Sequence, residues 1–162
     1  AKMFSGFANG ITEADQWRPT ANTTGSSTFI TSWERADTYG AGYVGTGMSE
    51  SSGAFTFPST GTWLLTFSVT MQNTSTPTYQ GFKISTTTDN STYNTAANKY
   101  GQIRTADGYM TGTTSFMFNV TSTSTHKAKF GLDTAQTGTP SINGATNSNN
   151  SEVTFIRLGD ST

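Results

Sequence analysis

Few residues of this 162-residue chain could do covalent or metal chemistry. His126 is the single histidine and stands beside Lys127. A nucleophilic triad would need it close to a Ser and an acid, and the chain has no nucleophile-elbow pattern of the Gly-x-Ser-x-Gly kind. His126 therefore reads as a satisfied or solvent-facing side chain. The ten acidic residues are scattered, with only Glu13 and Asp15 close together, so nothing signals a glycosidase-like carboxylate pair. Asp89-Asn90-Ser91 has the opening of a calcium loop but lacks its Gly and closing Glu, and reads as a polar turn. Cysteine is absent, which excludes disulfides and thiolate metal sites. The expectation is a non-enzymatic protein with no catalytic residue, no cofactor and no metal. Asn-x-Ser/Thr triplets at Asn22, Asn73, Asn90, Asn119 and Asn149 follow from a composition rich in those residues and carry no function.

Binding chemistry has more material. Tyr39, Tyr43, Tyr79, Tyr93, Tyr100 and Tyr109 fall outside the cleanest inward-facing series, and Tyr offers apolar area with a polar end. Near the N-terminus, Phe4, Phe7, Trp17 and Arg18 lie in a segment unlike the rest. An Asn9-Gly10 turn follows the two Phe, Thr12-Glu13-Ala14-Asp15 could cap a helical turn, and Thr20 to Ser27 is a polar linker. Residues 1–27 are read as an arm and 28–162 as the domain. Ala1, a residue of the kind left when an initiator Met is removed, leads to the expectation of a complete small gene product with tied ends.

The elements that must position these residues are strands. Charged residues are only 12% of the chain and its net charge is −1, which favours neither nucleic acid nor an anionic membrane. No apolar run is long enough to span a bilayer as a helix. Thr, about a fifth of the residues, is a strand former, and Gly and Asn make turns. Strands are expected at 28–34, 42–48, 53–57, 62–72, 79–87, 98–105, 109–120, 125–134 and 151–158, with long loops at 88–97 and 135–150. Met110, Thr114, Phe116, Phe118 and Val120 share one face, and Ala128, Phe130 and Leu132 oppose Lys127, Lys129 and Asp133. In the last strand Phe155 and Ile156 suggest contact on both faces. Strands at this spacing predict an all-β, two-sheet antiparallel jelly-roll sandwich.

The sharpest pattern is Gly53-x-Phe55-x-Phe57-Pro58-x-x-Gly61-x-Trp63-x-Leu65. After Gly61, apolar residues fall at 63, 65, 67, 69 and 71, with Thr or Ser at 62, 66, 68 and 70. This hairpin resembles the core signature of the trimeric jelly rolls related to the globular head of complement component one q, a family related in fold to tumour necrosis factor. Pro58 sits where bacterial and viral relatives tend to place it. Ser151 to Leu158 resembles the family's closing strand, with Phe155 where animal members carry a small Gly. The resemblance implies a homotrimer of the viral, bacteriophage branch.

Three functions are expected in order. The first is a trimeric capsid decoration (cement) protein on the virion surface, docking on the major capsid protein or other virion proteins through Phe4, Phe7, Trp17 and Arg18. The second is a receptor-binding knob of a head or tail fibre, recognising host surface glycan through loops that hold Asp89, Asn90, Tyr93, Asn143 and Asn147. The third is a free carbohydrate-binding module. No nucleic-acid partner and no membrane insertion are expected.

Overall fold

The computed structural model describes residues 10–162. Twelve strands follow one another: β1 (Ala14–Pro19), β2 (Thr23–Thr24), β3 (Trp33–Arg35), β4 (Ser49–Ser51), β5 (Ala54–Thr56), β6 (Gly61–Asn73), β7 (Gln80–Thr87), β8 (Asn94–Gly101), β9 (Tyr109–Val120), β10 (Lys127–Ala135), β11 (Pro140–Ile142) and β12 (Glu152–Gly159). They form the two-sheet antiparallel jelly-roll sandwich that the sequence predicts. In sheet I, β6 is flanked by β9 on one side and by β12 and β11 on the other, and β12 continues to β1 and β3. Sheet II has the order β4-β5-β10-β7-β8.

The alternation after Gly61 does what its period requires. Along β6 every odd residue is buried and every even one is partly exposed. Trp63, Leu65, Phe67, Val69 and Met71 thus enter the core between the sheets. Phe55, fully buried at its centre, packs edge-on against Trp17, Trp33 and Phe130 at 5.5, 5.3 and 5.6 Å. Each such pair adds about 0.5–1.5 kcal/mol to the burial of the rings. The signature residues build one corner. Phe57 meets Trp63 at 5.2 Å, and the Trp63 indole donates to the Ser59 carbonyl at 3.3 Å across the turn that contains Pro58. Gly53 has φ +82° and no room for a side chain against the Ile30 carbonyl, and Gly61 has φ +148° beside Arg157. Both conformations are strained for any L side chain.

Four expectations are corrected. Residues 12–15 form no helical turn. The Glu13 carboxylate instead accepts from the Thr46 and Gly47 amides, and Asp15 from the Met48 amide, so these acids cap a distant loop. Ala14–Pro19 is a strand between β12 and β3, which takes residues 14–19 out of a separable arm and into sheet I. Residues 42–48 make only a single bridge, Val44 to Ala14, because glycines at 42, 45 and 47 interrupt the strand. The strand expected at 98–105 runs from Asn94 to Gly101, turning part of the 88–97 loop into sheet edge. Residues 27–30 run beside β10, Phe29 bridging to Gly131, a close approach that only the missing Gly131 side chain permits.

Candidate functional site

The described residues hold no group of three His, Asp or Glu side chains suited to a metal ion. His126 is buried, stacked on Phe118 at 5.5 Å, and its two ring nitrogens meet the hydroxyls of Thr121 and Thr125. Asp89 Oδ1 accepts from the Ser91 and Thr92 amides and the Thr87 hydroxyl. The Thr92 amide first, then Thr87 and Ser91, holds this carboxyl well below the usual carboxylate range. The oxygen that would face a calcium ion is therefore engaged in closing a turn. What the molecule offers is surface, on the outward faces of its two sheets.

On sheet I the register lines up one aliphatic side chain from each of five neighbouring segments. Val44 bridges to Ala14, Ala14 pairs with Ile156, Ile156 with Leu64, and Leu64 with Met117. Their chain neighbours Asp15, Trp63, Phe118 and Phe155 are buried, so strand alternation turns this row outward. Met117 is 61% exposed and Val44 46%, and Leu158, in the bulge of β12, is 53% exposed. Elsewhere the face is built from short hydroxyl side chains, Thr66, Ser68 and Thr70 on β6 and Thr111, Thr113 and Ser115 on β9. Ser68 and Thr113 hydrogen-bond across the strands at 3.0 Å. A groove of 350 Å³ adjoins the row, lined by Gln16, Tyr43, Val44, Thr154 and Ile156 among others. An apolar row on a sheet face is a candidate association surface.

On sheet II the outward face is cationic and aromatic. Lys129 Nζ lies 4.7 Å from the Tyr93 ring and 5.6 Å from the Phe29 ring, and Lys83 Nζ lies 5.6 Å from Phe29. Lys83 also pairs with Asp133 at 3.7 Å. Asp133 accepts from the Tyr100 hydroxyl at 2.7 Å and the Asn98 amide at 3.0 Å. Burial pushes the Asp133 carboxyl up, but these two hydrogen bonds and Lys83 outweigh it and leave it below its ordinary value. The same contact raises the Tyr100 hydroxyl.

The residues singled out from the sequence are dispersed. Phe4 and Phe7 lie outside the described residues. Trp17 is half-buried, donates to Asp15 and packs on Phe55. Arg18 is 1% exposed and is bound to Glu34, Asp37, Thr38 and the Thr146 carbonyl. Neither is free to dock, because both complete the interior of the fold. Asn90 is fastened to the Thr125 carbonyl, while the Asn143 amide donates to Thr70 and the Asn147 carbonyl accepts from Thr38. The two loops proposed as one ligand region are thus anchored to different parts of the molecule. Tyr93 alone reaches the sheet II face. The sequence reading missed Phe29 and Lys83 there, and missed the sheet I row. The alternation Lys127-x-Lys129 was the available signal for the former. The row has no signal along the chain, because its members are neighbours only through strand register.

No protein-family model matches the chain, and no curated protein does. Solved structures do match in fold. Eiger, a tumour necrosis factor of S. frugiperda, superposes with a TM-score of 0.71 at 11% identity, covering 92% of this chain and 94% of that one. The PRD1 vertex protein P5 gives 0.56 at 15% identity, covering 93% and 100%. The globular domain of zebrafish complement 1qA gives 0.55 at 6% identity, covering 91% and 98%. The fold is therefore the jelly roll shared by tumour necrosis factor and the complement head domain, and a viral vertex protein has it too.

Proposed function

We propose that this chain is a non-enzymatic structural protein of a virion, a homotrimeric capsid decoration protein of a bacteriophage. The observation that carries the trimer is the row Val44, Ala14, Ile156, Leu64 and Met117. It is aliphatic side chain set among short hydroxyls on an otherwise polar surface, so a second copy can approach closely and cover it. The likeness to a viral vertex protein supports the virion location. In this reading the trimer bridges neighbouring shell subunits, and Phe4 and Phe7 are the docking residues that reach the major capsid protein. Trp17 and Arg18 act by holding β1 in place. A truncation that tests the docking idea removes residues 1–9 and stops short of β1. It should abolish binding to purified shells while the body keeps its mass and melting transition. Copy number in purified particles tests the reading as a whole. A count comparable to the major shell protein is expected, and absence from particles would sink it.

A second reading is a receptor-binding knob of a head or tail fibre that recognises host surface glycan. The aromatic, lysine-bearing face of sheet II favours it, and a count of a few trimers per particle would select it.

A further inference from the structure

Basic residues divide between the sheets. Arg18, Arg35 and Arg157 belong to strands of sheet I, and each is ion-paired to a carboxylate at 3.0 Å or less. The lysines of the described residues, Lys83, Lys99, Lys127 and Lys129, all lie on β7, β8 and β10, three adjacent strands of sheet II. Those strands carry one acid, Asp133. Lys83, Lys127 and Lys129 share the outward face with Asp133, which leaves two positive charges there on a chain whose net charge is −1, and Lys99, in register with the inward Phe82, adds a third at the β8 edge. The ammonium groups are also held in place. Lys129 lies against two rings and Lys83 against one, and Lys127 donates to Thr56 at 2.7 Å. Lys99 is exposed at the open edge of the sandwich, where Asn98, Thr113, Thr114 and Ser115 help line a groove of 390 Å³.

We propose that the outward face of sheet II and its β8 edge bind an acidic polysaccharide, a sugar polymer bearing carboxylate or sulfate groups. The proposal rests on the second reading above and gives that reading its ligand class and its place. Lysine ammoniums are compact point charges that suit carboxylate and sulfate. The Asn98 amide oxygen, beside Lys99 in the groove of the β8 edge, offers an acceptor to a sugar hydroxyl. The face carries no arginine, the side chain that pairs with base edges and stacks on bases, so nothing on it selects nucleic acid over another polyanion.

The test uses the whole protein in calorimetric titrations against polyguluronate, heparin, neutral dextran, single-stranded DNA and vesicles of anionic phospholipid. Binding to polyguluronate or heparin that weakens with added salt, with none to dextran, is the expected result. The double variant K127Q/K129Q should bind about tenfold more weakly, since two exposed ion pairs are removed, and K99Q should bind severalfold more weakly. Unchanged mass and melting temperature exclude a folding defect, and K99Q, at a solvent-exposed position, keeps the test open if the double variant fails to fold. Acidic-polysaccharide binding that ignores these lysines overturns the proposal. Equal binding to dextran removes the acidic class and leaves the glycan reading standing. Binding to no polysaccharide removes both, and binding to DNA or vesicles alone moves the face to another partner class.

Discussion

The outward face of sheet I carries aliphatic side chains in line across the strands, with hydroxyl residues around them and its arginines locked into ion pairs. The outward face of sheet II carries lysines laid on aromatic rings, with an aspartate partly neutralising one of them. Both faces belong to antiparallel sheets whose inner sides feed the same core, so the core does not dictate the difference. An apolar row gains by excluding water and suits a permanent partner such as a second copy. Charges held at a surface act over a Debye length and suit a ligand that comes and goes. In the proposed function one face is covered by a second copy and the other stays in solvent.

The largest expected effect breaks this contrast from the sheet I side. Leu64→Asp puts a charge in the middle of the row, and the assembly should dissociate to the 17.2 kDa chain in sedimentation velocity. A trimer that survives it would remove the row from the interface. Removing charge from sheet II through K127Q/K129Q should leave the assembly mass unchanged. The next effect is on the fold. Arg18→Ala removes a buried side chain with its hydrogen bonds to Glu34, Asp37, Thr38 and the Thr146 carbonyl, while the two carboxylates stay hydrated, and should cost about 1–3 kcal/mol, seen as a lower midpoint in denaturant unfolding. On sheet II, Phe29→Ala removes a half-buried ring that orders Lys83 and Lys129 and should cost about 1–2 kcal/mol, less than a fully buried Phe.

The smallest effect separates the faces by pH. Glu152 lies on the sheet I face opposite Ser68. Burial pushes its carboxyl above the ordinary value, and the Ser68 hydroxyl offsets part of that. The native state therefore holds this proton more tightly than the unfolded chain. Its contribution is full below the ordinary carboxyl value and is lost as pH rises through the raised one. Glu152→Gln should match the parent protein in acid and exceed its stability near neutral pH. Asp133 on sheet II has the opposite sign, since its contribution is present above the ordinary value and is lost as pH falls. A set of melting curves from pH 3 to pH 8 on Glu152→Gln and Asp133→Asn distinguishes the two slopes.

Strict alternation made β6, β9 and β10 legible almost to the residue, because one face of each is mostly apolar and the other mostly polar, Leu64 and Met117 being the exceptions. The hairpin from Gly53 to Trp63 was legible as a corner for the same reason. β1 was not, because two of its buried residues are Asp15 and Arg18, whose charges are satisfied by Arg35, Glu34 and Asp37 far along the chain. A charged residue reads as exposed until its partner is known. β11 is three residues long and starts with a proline, so its period is too short to see. The adjacent Phe155 and Ile156 imply contact on both faces of the last strand, and Ile156 stands in the sheet I row. The row itself and the clustering of lysines are products of pairing across strands, which no window along the chain contains.

The pairing of β1 with β12 ties residues 14–17 to residues 153–156. Of the strands described, β1 is made first and β12 last, so one edge of β1 waits for its partner while the ten strands between them are made. Until then the edges of β1 and β6 that face β12 are open to the wrong neighbour, although β3 and β9 can cover their other edges. Contacts of this sequence separation also make folding slow. The protein thus stays open to misassociation until β12 is made, and a chain cut before Ser151 should stay open indefinitely.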